Sequence, residues 1–263
     1  MAPSDEQQRI QESRYEFPYH YIPRLEDGDF SQARVLDWGY EYLSYIRFVL
    51  AKLETLPFRS LLDVGCGDGR FLGEVRRQFP KKELVGIDFS EQAIRYAKVL
   101  CPDVEFCCED FRTGLLRQRS FDIITLVETL EHIPPDDLPA LVKSLHSCLP
   151  PEGVLLLTVP SKNFPVARKH YQHFDLPSLA SALAPFFVIS EHFYLNRISK
   201  WTNWLQCLLV NKLFILNQRR LLNRIYRWYE KHLLPANEQN ARRICLLCRK
   251  SGRQPLTDGG RTK

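Results

Sequence analysis

The chain has 263 residues, of which 44% are apolar, 25% charged and 12% aromatic, enough to bury the core of one large α/β domain or of two small ones. It contains no run of 18 or more apolar residues and opens on the polar stretch MAPSDEQQRIQESR, which excludes a membrane-spanning helix and argues against a secretory signal. The net charge is +5, but residues 196–263 carry 15 Lys/Arg against 3 Asp/Glu, so a basic end follows an acidic body and either meets something anionic or packs back on it.

Residues 1–33 are polar apart from an aromatic cluster, Tyr15 to Tyr21, whose Tyr19, His20 and Tyr21 are expected to pack on the body rather than line a pocket. Over 36–56, Leu43, Ile46, Leu50 and Leu53 have the spacing of an amphipathic helix. From residue 60 short apolar runs take over: SLLDVG (60–65), ELVGID (83–88), VEFCC (104–108), FDIITLV (121–127) and GVLLLTV (153–159). Crossover helices are predicted between them at Arg70–Phe79, Glu91–Leu100 and Asp136–Leu149. Continuous apolar strands alternating with helices imply a parallel sheet covered on both faces. Two further strands are predicted at 185–195 and 241–250, with two helices between them. The division expected is an N-terminal segment with a lid-like helix over 1–56, a main domain over 57–250 with a helical insertion at about 199–235, and a flexible tail over 251–263. The eight cysteines are scattered, mostly through apolar stretches, as expected of reduced thiols in a cytoplasmic protein. Cys245 and Cys248, three apart on a predicted strand, face opposite sides and so form neither a zinc knuckle nor a redox pair.

The first strand runs into Asp63-Val64-Gly65-Cys66-Gly67-Asp68-Gly69 before a helix, and the second ends in Asp88. Glycines at such a turn let the backbone approach a ligand, and a carboxylate at the second strand end accepts the hydroxyls of a ribose. The G-x-G-x-G spacing departs from the dinucleotide G-x-G-x-x-G. Asp63 and Asp68, placed where a pyrophosphate would lie, suit a cationic ligand better, such as the sulfonium and ammonium of S-adenosylmethionine.

LLDVGCGDGRFL, GIDFSEQAI, CCEDF, FDIITLVETLEHIPP and GVLLLTVPS together resemble the successive motifs of class I S-adenosylmethionine-dependent methyltransferases over about residues 55–195. The resemblance implies a Rossmann-like, seven-stranded, mostly parallel sheet with an antiparallel last strand. It also implies S-adenosyl-L-methionine as cofactor, giving S-adenosyl-L-homocysteine. Asp63, Gly65 and Gly67 would line the methionine part, Asp88 would bind the ribose, Phe89 would flank the adenine, Asp110 and Phe111 would hold the adenine edge, and Val127 and Glu128 would close the pocket near the methyl group.

If 128–132 makes a helical turn, Glu128, Glu131 and His132 share a face toward the strand ends, and His132 or Glu131 could act as general base. The loop after the fifth strand brings His170 and His173, the other two candidate catalytic residues. The expectation is a metal-free site. Its alternative is a divalent ion on Glu128, Glu131, His132 and His173, a partial resemblance to the small-RNA methyltransferases that modify a terminal ribose 2′-hydroxyl. The function expected is methyl transfer to oxygen or nitrogen of a small-molecule, glycan-precursor or lipid-like acceptor. The alternatives are a metal-dependent RNA ribose 2′-O-methyltransferase and a non-catalytic partner subunit. In the insertion, Trp201, Trp204, Leu205, Leu208 and Leu209 form one apolar stripe and Leu221, Leu222, Ile225, Trp228, Tyr229 and Leu233 another. Arg220, Arg224, Arg227 and Lys231 recur beside the second as a cationic stripe, either solvated or in contact with an anionic acceptor or membrane surface.

Overall fold

Each of the seven apolar runs becomes a strand of one sheet: β1 (Ser60–Val64), β2 (Glu83–Asp88), β3 (Glu105–Cys108), β4 (Ile123–Val127), β5 (Val154–Pro160), β6 (Phe187–Arg197) and β7 (Ala241–Lys250). The structure is a computed structural model that describes residues 39–110, 119–209 and 218–251, together with 6–7, 10, 24–26 and 29–31. The spatial order is β3-β2-β1-β4-β5-β7-β6, and β7 runs antiparallel to both its neighbours while the other six strands share one direction. The order reverses between β1 and β4, the crevice where open α/β sheets bind ligands. Arg24–Glu26 and Asp29–Ser31 pair as a separate short hairpin.

Successive residues on the strands serve opposite faces, and the central strands β1, β4 and β5 are buried along nearly their whole length and apolar on both faces. Leu61, Ile123 and Leu156 enter one core with α1 (Gly39–Glu54), α2 (Arg70–Gln78) and α3 (Glu91–Leu100). Leu62, Ile124, Leu155 and Leu157 enter the other, under α4 (Leu138–Ser147) and α5 (Leu176–Leu183). Cys245 and Cys248 fall in different cores, both are buried, and burial pushes each thiol up to about 12, so neither offers a thiolate. All eight thiols are free.

α1 contributes one face to the core: Tyr45, Ile46, Val49 and Leu53 are buried, while Leu43 from the predicted stripe is 38% exposed. The insertion forms α6 (Lys200–Leu209) and α7 (Arg219–His232), but its stripes do not pack as complete faces. Leu205, Tyr229 and Leu233 are buried, whereas Trp201 and Trp204 are 54% and 57% exposed and Trp228 is 40% exposed. These rings line an open groove of about 430 Å³ between α6 and α7, with Arg224 at its edge. Among the described residues no helix is long and apolar enough to cross a membrane. The Tyr15–Tyr21 cluster, Phe111 and the tail from 252 onward lie outside the described residues.

Candidate active site

The β1–α2 turn needs left-handed backbone at three positions, and glycine occupies all three: φ is 76° at Gly65, 54° at Gly67 and 76° at Gly69. Gly65 N and Cys66 N donate to Ile87 O at 2.8 and 2.9 Å, which draws the turn onto the end of β2. There Asp88, buried, accepts from Gly67 N through Oδ2 and from Ser90 N through Oδ1, both at 2.9 Å. Each oxygen has two lone pairs, so the carboxylate is oriented by the turn without its capacity being used up. Ser90 caps α3 by accepting from Ala93 N. Phe89, next to Asp88, is 46% exposed, and Glu109 N donates to Asp88 O, bringing half-buried Asp110 to the same end of the sheet.

Asp63 is 2% exposed. Burial pushes its carboxyl up to about 7, against a 2.7 Å bond from Thr125 Oγ1 that holds it down, and the charge of Asp88 adds to the rise.

At the end of β4, Val127 is half-buried and Glu128 takes φ 55°, a left-handed conformation that costs a non-glycine residue on the order of 1 kcal/mol. Two bonds over-determine it. Glu128 N donates to Thr158 O at 3.0 Å, and Glu128 Oε2 accepts from Arg243 Nε at 3.0 Å. Arg243 also reaches Glu41 Oε2 at 3.3 Å and lies over the Tyr45 ring, and Arg242 adds a second contact to Glu41 at 3.2 Å. Thr129 covers Gly65 so closely that a Cβ there would stand 2.3 Å from its Cγ2. The cofactor loop and the 128–132 segment are thus in direct contact.

The predicted helical turn is a short 3-10 turn, Leu130–His132, and it brings Glu131 and His132 to the loop before α5. Glu131 is 1% exposed, and burial, then the charge of Glu128, pushes its carboxyl well above the usual range. His132 Nδ1 donates to Lys169 O at 2.9 Å, and its ring meets that of His170 edge-on. His170 Nδ1 and His173 Nε2 are 2.9 Å apart, and His173 Nδ1 donates to Phe164 O at 3.1 Å. His173 thus has both nitrogens engaged inside the loop, while the His170 ring lies against that of His132. Glu128 likewise has one oxygen taken by Arg243. The sequence reading missed Glu41, Thr129 and Arg243. Arg242-Arg243 inside an otherwise apolar strand was the one available signal.

These side chains fit S-adenosylmethionine. Acidic groups gather at a turn stripped of side chains, and buried Glu128 Oε1 has no hydrogen-bond partner, an acceptor suited to an ammonium donor.

Residues 10–208 match a family described as methyltransferase domain. A ubiquinone biosynthesis O-methyltransferase from Coxiella burnetii is 32% identical over 114 residues, 42% of this chain and 47% of the relative. Another from Neisseria meningitidis is 31% identical over 113 residues, 40% of this chain and 45% of the relative. The chain thus spans about half the length of the curated relatives it matches. The N-methyltransferase NodS from Bradyrhizobium japonicum, solved with S-adenosyl-L-homocysteine, superposes with TM-score 0.58 at 13% identity, covering 95% of this chain and all of that one. An S-adenosylmethionine-dependent methyltransferase from Archaeoglobus fulgidus gives 0.56 at 17% identity over 80% of this chain and 94% of that one. The architecture is the Rossmann-like class I methyltransferase fold, as the sequence motifs imply. The chain belongs to the methyltransferase-domain family.

Proposed function

We propose that this protein transfers a methyl group from S-adenosylmethionine to a hydroxyl oxygen of a small, apolar-bodied acceptor. The observation that carries this reading is the pairing of an oriented, buried Asp88 under a glycine turn with a proton-accepting cluster on the adjoining strand end. Asp88 accepts the ribose hydroxyls, Phe89 covers the adenine, and Asp110 with Phe111 takes the adenine edge. Asp63, Gly65 and Gly67 line the methionine portion, and Val127 and Glu128 close the pocket beyond it. The bound cofactor supplies an electrophilic methyl group on sulfur. What the protein adds is in-line placement of the acceptor and a destination for its proton.

That destination is the Glu131–His132–His170 cluster, next to the turn through the Thr129–Gly65 contact. A neutral amine attacks through its lone pair without losing a proton first, whereas a hydroxyl needs a base, so a proton-accepting cluster argues for oxygen, as do relatives named O-methyltransferases. An apolar body for the acceptor is supported by the tryptophan-lined groove of α6 and α7, and a contact with an anionic surface by exposed Arg220, Arg224, Arg227 and Lys231. The test is labelled methyl transfer from S-adenosylmethionine to a cell extract fractionated into small molecules, lipids and RNA. Label in the small-molecule or lipid fraction, lost with Asp88→Ala, is the expected result. Label confined to RNA, or none despite tight cofactor binding, overturns the reading.

A further inference from the structure

We propose that α6 and α7 form a docking surface for an anionic lipid bilayer, with Trp201, Trp204 and Trp228 seated among the head groups and Arg220, Arg224, Arg227 and Lys231 on the lipid phosphates. The inference rests on the proposed function for one consequence, that the acceptor is a lipid drawn from that bilayer.

The insertion is held to the body by one side only. Thr202 and Leu205 of α6, Tyr229 of α7 and Leu233 just beyond it are buried. Tyr229 Oη accepts from Asn196 Nδ2 at 2.7 Å, and its ring meets that of Tyr40 on α1 edge-on. Glu230, the one acid in the two helices, lies 3.3 Å from Arg47 on α1. These contacts decide which sides of the helices are left outward.

Successive residues turn by about 100° around a helix. On α7 this sets Arg220, Arg224, Arg227 and Lys231 on one strip, Leu221, Ile225 and Trp228 on the next, and the anchors Tyr229 and Leu233 beyond them. The middle strip faces Trp201 and Trp204 of α6 across the groove, where the rings of Trp201 and Trp228 are 6.5 Å apart. Exposed apolar surface gathered into one patch marks an interaction site. Indoles beside a row of cations are the pattern of helices that lie in a membrane interface, where tryptophan sits at head-group depth.

Charge complementarity identifies the lipid. The two helices carry six Lys/Arg against one Asp/Glu. All four cations of the stripe are exposed, and no acid among the described residues is paired with them. A nucleic-acid strand also combines cations with stacking rings, but it tracks a groove that is itself positively charged. Here leucine, isoleucine and tryptophan make the walls, and the charge stands on one rim. Topology places the surface. β6 ends where β7 begins, with Arg197 paired to Ala241, and Pro160 at the end of β5 pairs with Arg243. Both helices are therefore rooted at the end of the sheet that holds the candidate site.

Three of the chain's four tryptophans line this groove, so a Trp38→Phe protein reports on it alone. Its emission is followed during titration with phosphatidylcholine vesicles containing about one-third phosphatidylserine, and with phosphatidylcholine alone. The expected result is a blue shift with the anionic vesicles only, and stronger quenching by lipids brominated near the glycerol backbone than at the chain ends. Co-sedimentation of the wild type with the same vesicles should agree. Trp201→Gln combined with Trp204→Gln should weaken co-sedimentation by about tenfold or more. Binding of S-adenosyl-L-homocysteine by this variant shows a folded domain, and Trp228→Gln replaces it if it does not fold. No binding of the wild type to anionic vesicles, or equal binding by the folded double variant, overturns the docking surface. A blue shift produced by single-stranded RNA or by protein concentration alone, with none on vesicles, overturns it as well and assigns the groove to nucleic acid or to a second copy. Methyl transfer to a water-soluble acceptor without vesicle binding would leave the proposed function standing and remove the docking. Vesicle binding by a protein that transfers no methyl group would do the reverse.

Discussion

Glu128 and Arg243, 115 positions apart, meet at 3.0 Å and join the end of β4 to β7 across β5. The same guanidinium serves Glu41 on α1, so one cation stands between two acids that are otherwise poorly solvated. Arg243→Met removes it and leaves two carboxylates facing a protein interior. Loss of one partner from such a buried set costs about 3–5 kcal/mol. Urea denaturation of Arg243→Met should show a loss of about that size, reduced because Arg242 still holds Glu41. A change below about 1 kcal/mol would mean that the network is stabilising neither acid.

Asp88→Ala should weaken binding of S-adenosylmethionine by about 2–3 kcal/mol, the value of charge-assisted bonds to a ribose. Calorimetry with cofactor and product measures it. Because Asp88 also holds Gly67 N and Ser90 N, Asp88→Asn is the companion variant, which keeps an acceptor for one of them. Equal affinity in wild type and Asp88→Ala would remove Asp88 from the cofactor site.

Gly65→Ala places a methyl group 2.3 Å from Thr129 Cγ2 in backbone of φ 76°. Overpacking and left-handed strain together should destabilise the protein by about 2–4 kcal/mol. Combining it with Thr129→Ala, which deletes the two nearest atoms, should recover part of the loss, the backbone share remaining. Thermal melts of the two single variants and the double variant separate the two contributions.

Asp63 gives a pH dependence with a definite sign. Its ordinary value is 3.8 and its folded value is about 7, so the folded protein holds a proton that the unfolded chain has released between those limits. Stability from this group is full below pH ~4 and is lost as pH rises through ~7. The shift corresponds to about 4 kcal/mol. Asp63→Asn cannot ionise and keeps an acceptor for Thr125, so its stability relative to wild type should rise over that window. Parallel melting curves at pH 4 and pH 8 for the two proteins would show that Asp63 does not titrate as described.

The cationic face of α7 should carry the protein onto anionic vesicles. Each Lys or Arg near such a surface adds about 1 kcal/mol. Changing Arg220, Arg224, Arg227 and Lys231 to Gln should then weaken flotation with phosphatidylserine vesicles by about 10²-fold or more. Equal flotation with neutral vesicles, or an unaffected variant, would leave the stripe merely solvated.

The central strands were legible because residues buried on both faces read as continuous apolar runs. ARRICLLCRK reads as β7 to the residue, and the glycine turn reads through the left-handed backbone it requires. Long-range ion pairs have no such signature. Nothing local joins Glu41 to Arg243 across 202 positions. The choice between His170 and His173 depends on which carbonyl each ring meets, which is decided by the path of the 161–175 loop. Helical periodicity likewise found the Trp201–Trp204 stripe but could not tell a packed face from an open groove.

The place of β7 between β5 and β6 has a temporal consequence. A nascent chain that has delivered everything up to α7 still has two facing strand edges with unsatisfied amides and carbonyls, and Glu41 and Glu128 still lack their arginine. The gap is filled by β7, which follows the six other strands of the sheet in the chain. Completion of the sheet and neutralisation of the acids beside the cofactor turn are therefore one event. A ribosome-bound intermediate would hold an open sheet, and a competent site would appear only with the final insertion.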